Sequence, residues 1–143
     1  MPLQNSPRLI EASIGSMHML PENYFLGKQG EGVTIMQLLT KEIITKLPIL
    51  YSQENEEDPM VICKFFLSMT KWTWFATEFD GKDSFFGYVV GEYPELGYFS
   101  LSELESVEGP YGLKVERDRY FEPTRLTRIK KEYESREISI FGF

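Results

Sequence analysis

Residues 60–90, MVICKFFLSMTKWTWFATEFDGKDSFFGYVV, decide the fold. Three runs rich in aromatic and β-branched residues (60–67, 71–79 and 84–90) are separated by Ser68-Met69-Thr70 and by Asp80-Gly81-Lys82-Asp83. Side chains of this kind pack well on a pleated surface, and connections this short suit hairpins, so the spacing predicts an antiparallel meander. Within the second run, alternate residues point to opposite sides. Trp72, Trp74 and Ala76 then share one face, and Lys71, Thr73, Phe75, Thr77 and Phe79 the other. Both faces carry aromatics, more than a sheet with one solvated face requires. Either two layers cover the sheet or one face is a contact surface.

Upstream, Thr40 is placed to cap a short helix whose apolar positions are Leu39, Ile43, Ile44 and Leu47, and Pro48 ends it. The acidic stretch Glu54 to Asp58-Pro59 has no apolar period and reads as a loop. Downstream, Tyr98-Phe99 reads as a further strand and 100–107 as a short helix with a capping box of Ser102 and Glu105. Gly109-Pro110-Tyr111-Gly112 is a turn leading to an extended piece over 113–121. Pro123 opens a last helix to about Arg136, with Leu126, Ile129 and Tyr133 as its apolar stripe, and the tail ISIFGF reads as a strand or a frayed end. The fold class is therefore α+β: a three- or four-stranded antiparallel meander over 60–100 with short helices, 40–47 and 124–136, packed against it.

Residues 1–35 differ from the rest. They hold two aromatics, Tyr24 and Phe25, and show no sustained period. Glu31-Gly32-Val33 can be encoded with a purine-rich string resembling a bacterial ribosome-binding site, a short distance before Met36. A single domain over 36–143 is expected, with 1–35 either an arm or a mis-assigned start.

Composition excludes several chemistries. The chain has 143 residues, a net charge of -7, one Cys and one His. Cys63 cannot form an internal disulfide, and His18 lies in the expected arm, so nucleophilic sites that need His and zinc sites built from Cys and His fall away. No apolar run approaches the roughly 20 residues that span a bilayer, and no secretory signal is legible, so no membrane association and a cytoplasmic location are expected. Phosphate-loop, dinucleotide, metalloprotease and nucleophile-elbow signatures are all missing, and no cofactor is expected.

The ordered blocks from Leu39 to Leu126 carry a resemblance: LLTKEIITKLP, Asp58-Pro59, KFF, the WTW pair followed by Ala76-Thr77-Glu78, FFGYVVG, PELGYFSLSELE, and GPYGL followed by VERD and YFEP. Over about residues 38–126 the chain resembles the bacterial family catalogued as domain of unknown function 2958. The resemblance implies a small cytosolic protein often carried by plasmids, integrative elements and phages, with no established activity. Lys114, Arg119 and the basic helix after Leu126 depart from the family pattern.

Three functional readings follow. The leading one is a non-catalytic accessory protein of a bacterial mobile element or phage that binds a protein, with Trp72, Trp74, Tyr98 and Phe99 as the candidate surface. The second is a small enzyme or ligand-binding domain using Lys64, Glu78, Arg117 and Asp118, with Glu116 and Glu122 nearby. Against it, Lys64 and Glu78 on neighbouring strands are expected to pair with each other or to face water. The third is nucleic-acid binding, with Arg125, Arg128 and Lys131 touching phosphates. The net negative charge and the Arg128, Glu132, Arg136 spacing disfavour it, because such spacing suits a solvated helix face.

Overall fold

The aromatic runs become strands, and the computed structural model, which describes residues 37–140 and side chains as far as Arg136, shows their order. The expected arm over 1–35, with His18, lies outside the described residues. The chain forms α1 (Lys41–Lys46), β1 (Met60–Val61), β2 (Cys63–Leu67), β3 (Thr73–Phe79), β4 (Ser84–Val90), β5 (Pro94–Ser100), α2 (Leu101–Ser106), a 3-10 turn at Pro110–Gly112, β6 (Val115–Arg117), β7 (Thr124–Arg125) and α3 (Leu126–Ile140). Five strands make one antiparallel sheet in the order β5-β4-β3-β2-β6, and β1 pairs with β7 in a second, two-stranded sheet. The α+β class and the meander are as the sequence indicates. The sheet gains β6 at its β2 edge, where Leu67 pairs with Val115 and Phe65 with Arg117. The last helix starts at Leu126 rather than Pro123, because Thr124 and Arg125 pair with Val61 and Met60 first. It runs on through Ile140, so the start of the tail is helical rather than a strand.

One irregularity rearranges the faces. Between Ala76 and Glu78 the β3–β4 register shifts by one residue, leaving Thr77 as a bulge. A bulge reverses the side-chain alternation beyond it. Phe79 therefore joins Trp74 and Ala76 in one cluster instead of facing away from them. The extra backbone groups are satisfied locally: the Thr77 hydroxyl donates to the Phe86 carbonyl at 3.0 Å, and Gln53 Nε2 donates to the Thr77 carbonyl at 2.8 Å. Opposite the bulge stands Gly87, where a Cβ would lie 1.8 Å from the Phe75 carbonyl oxygen.

Both faces are covered, which accounts for the aromatics. On the first, Phe65, Trp74, Phe79, Phe85 and Phe99 pack beneath Leu38, Leu39 and Leu47 and beneath Leu104 and Val107 around α2. Phe85 stacks between Phe79 at 4.5 Å and Phe99 at 5.0 Å between centroids, a ladder of rings across three strands. On the second, Phe75, Tyr88 and Val90 meet the Leu126, Ile129 and Tyr133 stripe of α3.

The caps set the helix entries. Thr40 Oγ1 accepts from the Ile43 N–H, as its position indicates. For α2 the capping residue is Ser100 rather than Ser102: the Ser100 hydroxyl accepts from the Glu103 N–H at 3.1 Å, while the Ser102 N–H and hydroxyl both donate to the Asp83 carboxylate at 2.8 Å. Chain direction decides this, because β5 runs straight into the helix and leaves Ser100 as its last extended residue.

Asp58 fastens α3 to the rest of the protein. Its carboxylate accepts from the Thr127 N–H at 2.9 Å and the Thr127 hydroxyl at 2.8 Å, and the Leu126 N–H donates to the Pro59 carbonyl at 3.0 Å. The Thr127 backbone bond, stronger than the opposing effect of desolvation, holds the Asp58 carboxyl below its usual value of 3.8. A depressed carboxyl contributes stability above its unfolded-state value and loses it as pH falls through the folded one. An Asp58→Ala variant is therefore expected to melt below the parent protein at pH 7 and pH 5, with the gap closing below pH 3.8. Melting curves of both proteins from pH 7 to pH 2 check this; a gap that persists at pH 2 would contradict it.

Candidate functional site

A groove of about 410 Å³ opens between α3, the 118–124 segment and the sheet. The stripe that seats α3 also sets out the groove wall. With Leu126, Ile129 and Tyr133 turned to the sheet, the adjacent row of Arg128, Glu132 and Arg136, at i, i+4 and i+8, lines one side. Arg136 pairs with Glu132 at 3.1 Å and lies 4.8 Å from the Tyr133 ring centroid. On the far side of the helix, Lys130 Nζ sits 5.6 Å from the centroid of Tyr88.

The opposite wall is the segment after β6. The Asp118 N–H donates to the Lys64 carbonyl at 2.9 Å, and Asp118 Oδ1 accepts from the Tyr120 N–H at 2.9 Å, so the chain turns here. Phe121 packs inward, 6.1 Å from Phe75, while Tyr120 is 93% exposed. Asp118, Tyr120 and Glu122 line this side. On the floor, Lys64 Nζ lies 3.9 Å from Asp118 Oδ2 and 5.8 Å from the Phe75 centroid.

The four groups of the enzymatic reading do not converge. Lys64 and Asp118 meet in the groove. Arg117 belongs to the opposite face, being paired across the sheet with Phe65, and its Nη1 donates to the Gln37 and Leu38 carbonyls at 2.8 and 2.7 Å. Glu78 is fully buried, and its two oxygens accept from the Tyr51 N–H at 2.7 Å and the Gln53 N–H at 2.8 Å. The expected Lys64–Glu78 pair does not form, because the β2–β3 register sets Lys64 opposite Phe75 and Glu78 lies past the bulge, beyond the end of β2.

The aromatic surface is likewise divided. Trp74 is fully buried and Phe99 nearly so, whereas Trp72 is half-buried, stacked on Trp74 at 5.8 Å. Tyr98 belongs to the other face, edge-on to Phe86, with its hydroxyl donating to that of Tyr51. Trp72, Trp74, Tyr98 and Phe99 therefore form no common exposed surface. Of the three cations expected to touch phosphate, Arg125 donates to the Asp58 carbonyl, Arg128 lines the groove among carboxylates, and Lys131 is exposed. Cys63 is buried in β2 and its thiol is pushed up to about 12 by desolvation, which makes it inert at neutral pH. Among the described residues, no group of three or more His, Cys, Asp or Glu side chains is placed to hold a metal ion, and no helix is long and apolar enough to cross a membrane.

A second surface was not visible in the sequence. The 68–72 turn, the 91–93 turn and the 108–114 connection all leave the same end of the sheet, since Thr73 pairs with Val90, Val90 with Pro94, and Leu67 with Val115. They display Met69, Tyr93 and Tyr111, which are 71%, 74% and 89% exposed. Met69 and Tyr111 have φ of 64° and 57°, a region that costs a non-glycine residue energy. Five strands at about 4.8 Å spacing make this end about 19 Å wide. The positive φ values, which sequence does not reveal, distinguish Met69 and Tyr111 from ordinary turn residues.

A family model described as "Protein of unknown function (DUF2958)" matches residues 38–135. No curated protein and no solved structure matches the chain.

Proposed function

The chain belongs to the DUF2958 family, and from that premise we propose that it is a non-catalytic binding protein whose partner is another protein. The cytoplasmic setting and the bacterial mobile element or phage it would serve rest on the family resemblance alone. One observation carries the binding reading: three large apolar side chains, Met69, Tyr93 and Tyr111, project from three turns at one end of the sheet, two of them on left-handed backbone. Aromatic and Met side chains are those that anchor protein interfaces, and unfavourable backbone is retained where surrounding structure and use require it. Nucleic acid is a poor fit to this end, where Glu92 and Glu108 accompany Lys71 and Lys114, the last paired to Glu108 at 3.3 Å.

A Met69→Ser, Tyr93→Ser, Tyr111→Ser protein tests this. Exposed positions of this kind affect stability by about 0.5 kcal/mol or less each, so the variant is expected to stay folded. Quantitative affinity capture from a cytosolic extract should show proteins retained by the parent chain and depleted about tenfold or more with the variant, the effect of losing about 1.4 kcal/mol of binding. Identical capture by both proteins would remove the surface from consideration. The small-ligand or enzymatic reading keeps one supporting observation, the meeting of Lys64 and Asp118 in the groove.

A further inference from the structure

We propose that the groove between α3 and the 118–124 segment receives an extended stretch of polypeptide in which an acidic and a basic side chain flank an apolar one. The inference deepens the protein-binding reading and rests on it. The charge order of the walls carries it. Along α3 the row is positive, negative, positive (Arg128, Glu132, Arg136), and the facing segment is negative, aromatic, negative (Asp118, Tyr120, Glu122). With Lys64 on the floor, the groove holds three cations and three carboxylates. A nucleic-acid strand presents only negative phosphates and would meet Asp118, Glu122 and Glu132 at every register. A small anion meets the same repulsion, whereas a chain bearing both signs finds a partner for each.

Two of these charges are available. Lys64 is matched by Asp118 and Arg136 by Glu132, while among the described residues neither Arg128 nor Glu122 forms an ion pair. Beside Lys64 the floor offers an apolar spot, the buried Phe75 and Ile129 with the Tyr133 ring beside them. Length agrees as well. From Arg128 to Arg136 the helix advances about 12 Å at about 1.5 Å per residue. That matches about three to four residues of extended chain at about 3.3 Å each. Tyr120 lines the same wall and leaves its ring almost wholly exposed to a bound chain.

The test uses the full chain and fluorescein-labelled hexapeptides of four kinds: a central glutamate-leucine-lysine, the reversed order, an all-acidic and an all-basic peptide. A single-stranded 12-mer oligonucleotide completes the set, and binding is read by fluorescence anisotropy at two salt concentrations. One of the mixed-charge orders is expected to bind about tenfold more tightly than either single-sign peptide and than the oligonucleotide. Arg128→Glu should weaken that binding about tenfold, and the double exchange Arg128→Glu, Glu122→Arg should move the preference to the opposite mixed-charge order, which a merely structural role for either residue would not produce. Equal binding of all peptides, preference for the oligonucleotide, or indifference to Arg128→Glu overturns the inference. If the groove fails in this way while the Met69, Tyr93, Tyr111 variant still loses its captured protein, the broader protein-binding reading stands. If both fail, both fall.

Discussion

Replacing Glu78 with alanine is expected to cost about 4 kcal/mol, because two backbone donors lose a charged acceptor and a fully buried side chain is emptied from the packing. The carboxylate is fully buried and accepts from the Tyr51 and Gln53 N–H groups at 2.7 and 2.8 Å. Tyr51 has φ of 70°, so the carboxylate also secures a turn that the backbone would otherwise relax. Gln53 in turn donates to the Thr77 and Met60 carbonyls and accepts from the Met60 N–H, joining the bulge to β1. Small domains are stable by roughly 5–15 kcal/mol, so the loss would remove a large share of the total. Glu78→Gln keeps the volume and one acceptor but turns an NH2 group toward a donor, and about half the loss is expected. Urea unfolding of the three proteins measures this. A Glu78→Ala midpoint equal to that of the parent would show that the carboxylate does not hold the loop.

Gly87→Ala is expected to cost about 3 kcal/mol or more, through overlap with backbone that cannot yield. The added Cβ would lie 1.8 Å from the Phe75 oxygen, 2.9 Å from its carbonyl carbon and 3.0 Å from the Ala76 Cα. The comparison is Gly81→Ala in the turn before β4, where φ is 86° and nothing lies within 4 Å of the new atom. There the cost is only that of a left-handed alanine, about 1 kcal/mol. Equal midpoint shifts for the two variants in the same urea series would contradict the steric account.

The two substitutions fall where the sequence is least legible. The strands were legible because aromatic runs alternate with short polar turns, and Asp80-Gly81 places one hairpin unambiguously: the Asp80 carboxylate accepts from the N–H groups of Lys82, Asp83 and Ser84. Thr40 likewise announces α1. The bulge at Thr77 was not legible, since a Thr after Ala76 continues the alternation as well as it interrupts it. That one residue decides whether Phe79 faces the ladder of rings. The groove is illegible in the sequence for a different reason. Lys64 and Arg128 are far apart in sequence and line one groove only because β6 returns to the β2 edge and α3 packs on that face of the sheet. Met69, Tyr93 and Tyr111 belong to separate turns, brought to one end by strand pairing alone.

Cys63 has a practical consequence. It is the one thiol in the chain, it is buried between strands, and its thiolate is suppressed by a value pushed up to about 12. An alkylating reagent at neutral pH therefore finds nothing to modify until the sheet parts, and modification then marks each opening irreversibly. The protein carries its own stopwatch for unfolding, and a second cysteine placed on an exposed turn can be labelled in the folded state without touching it.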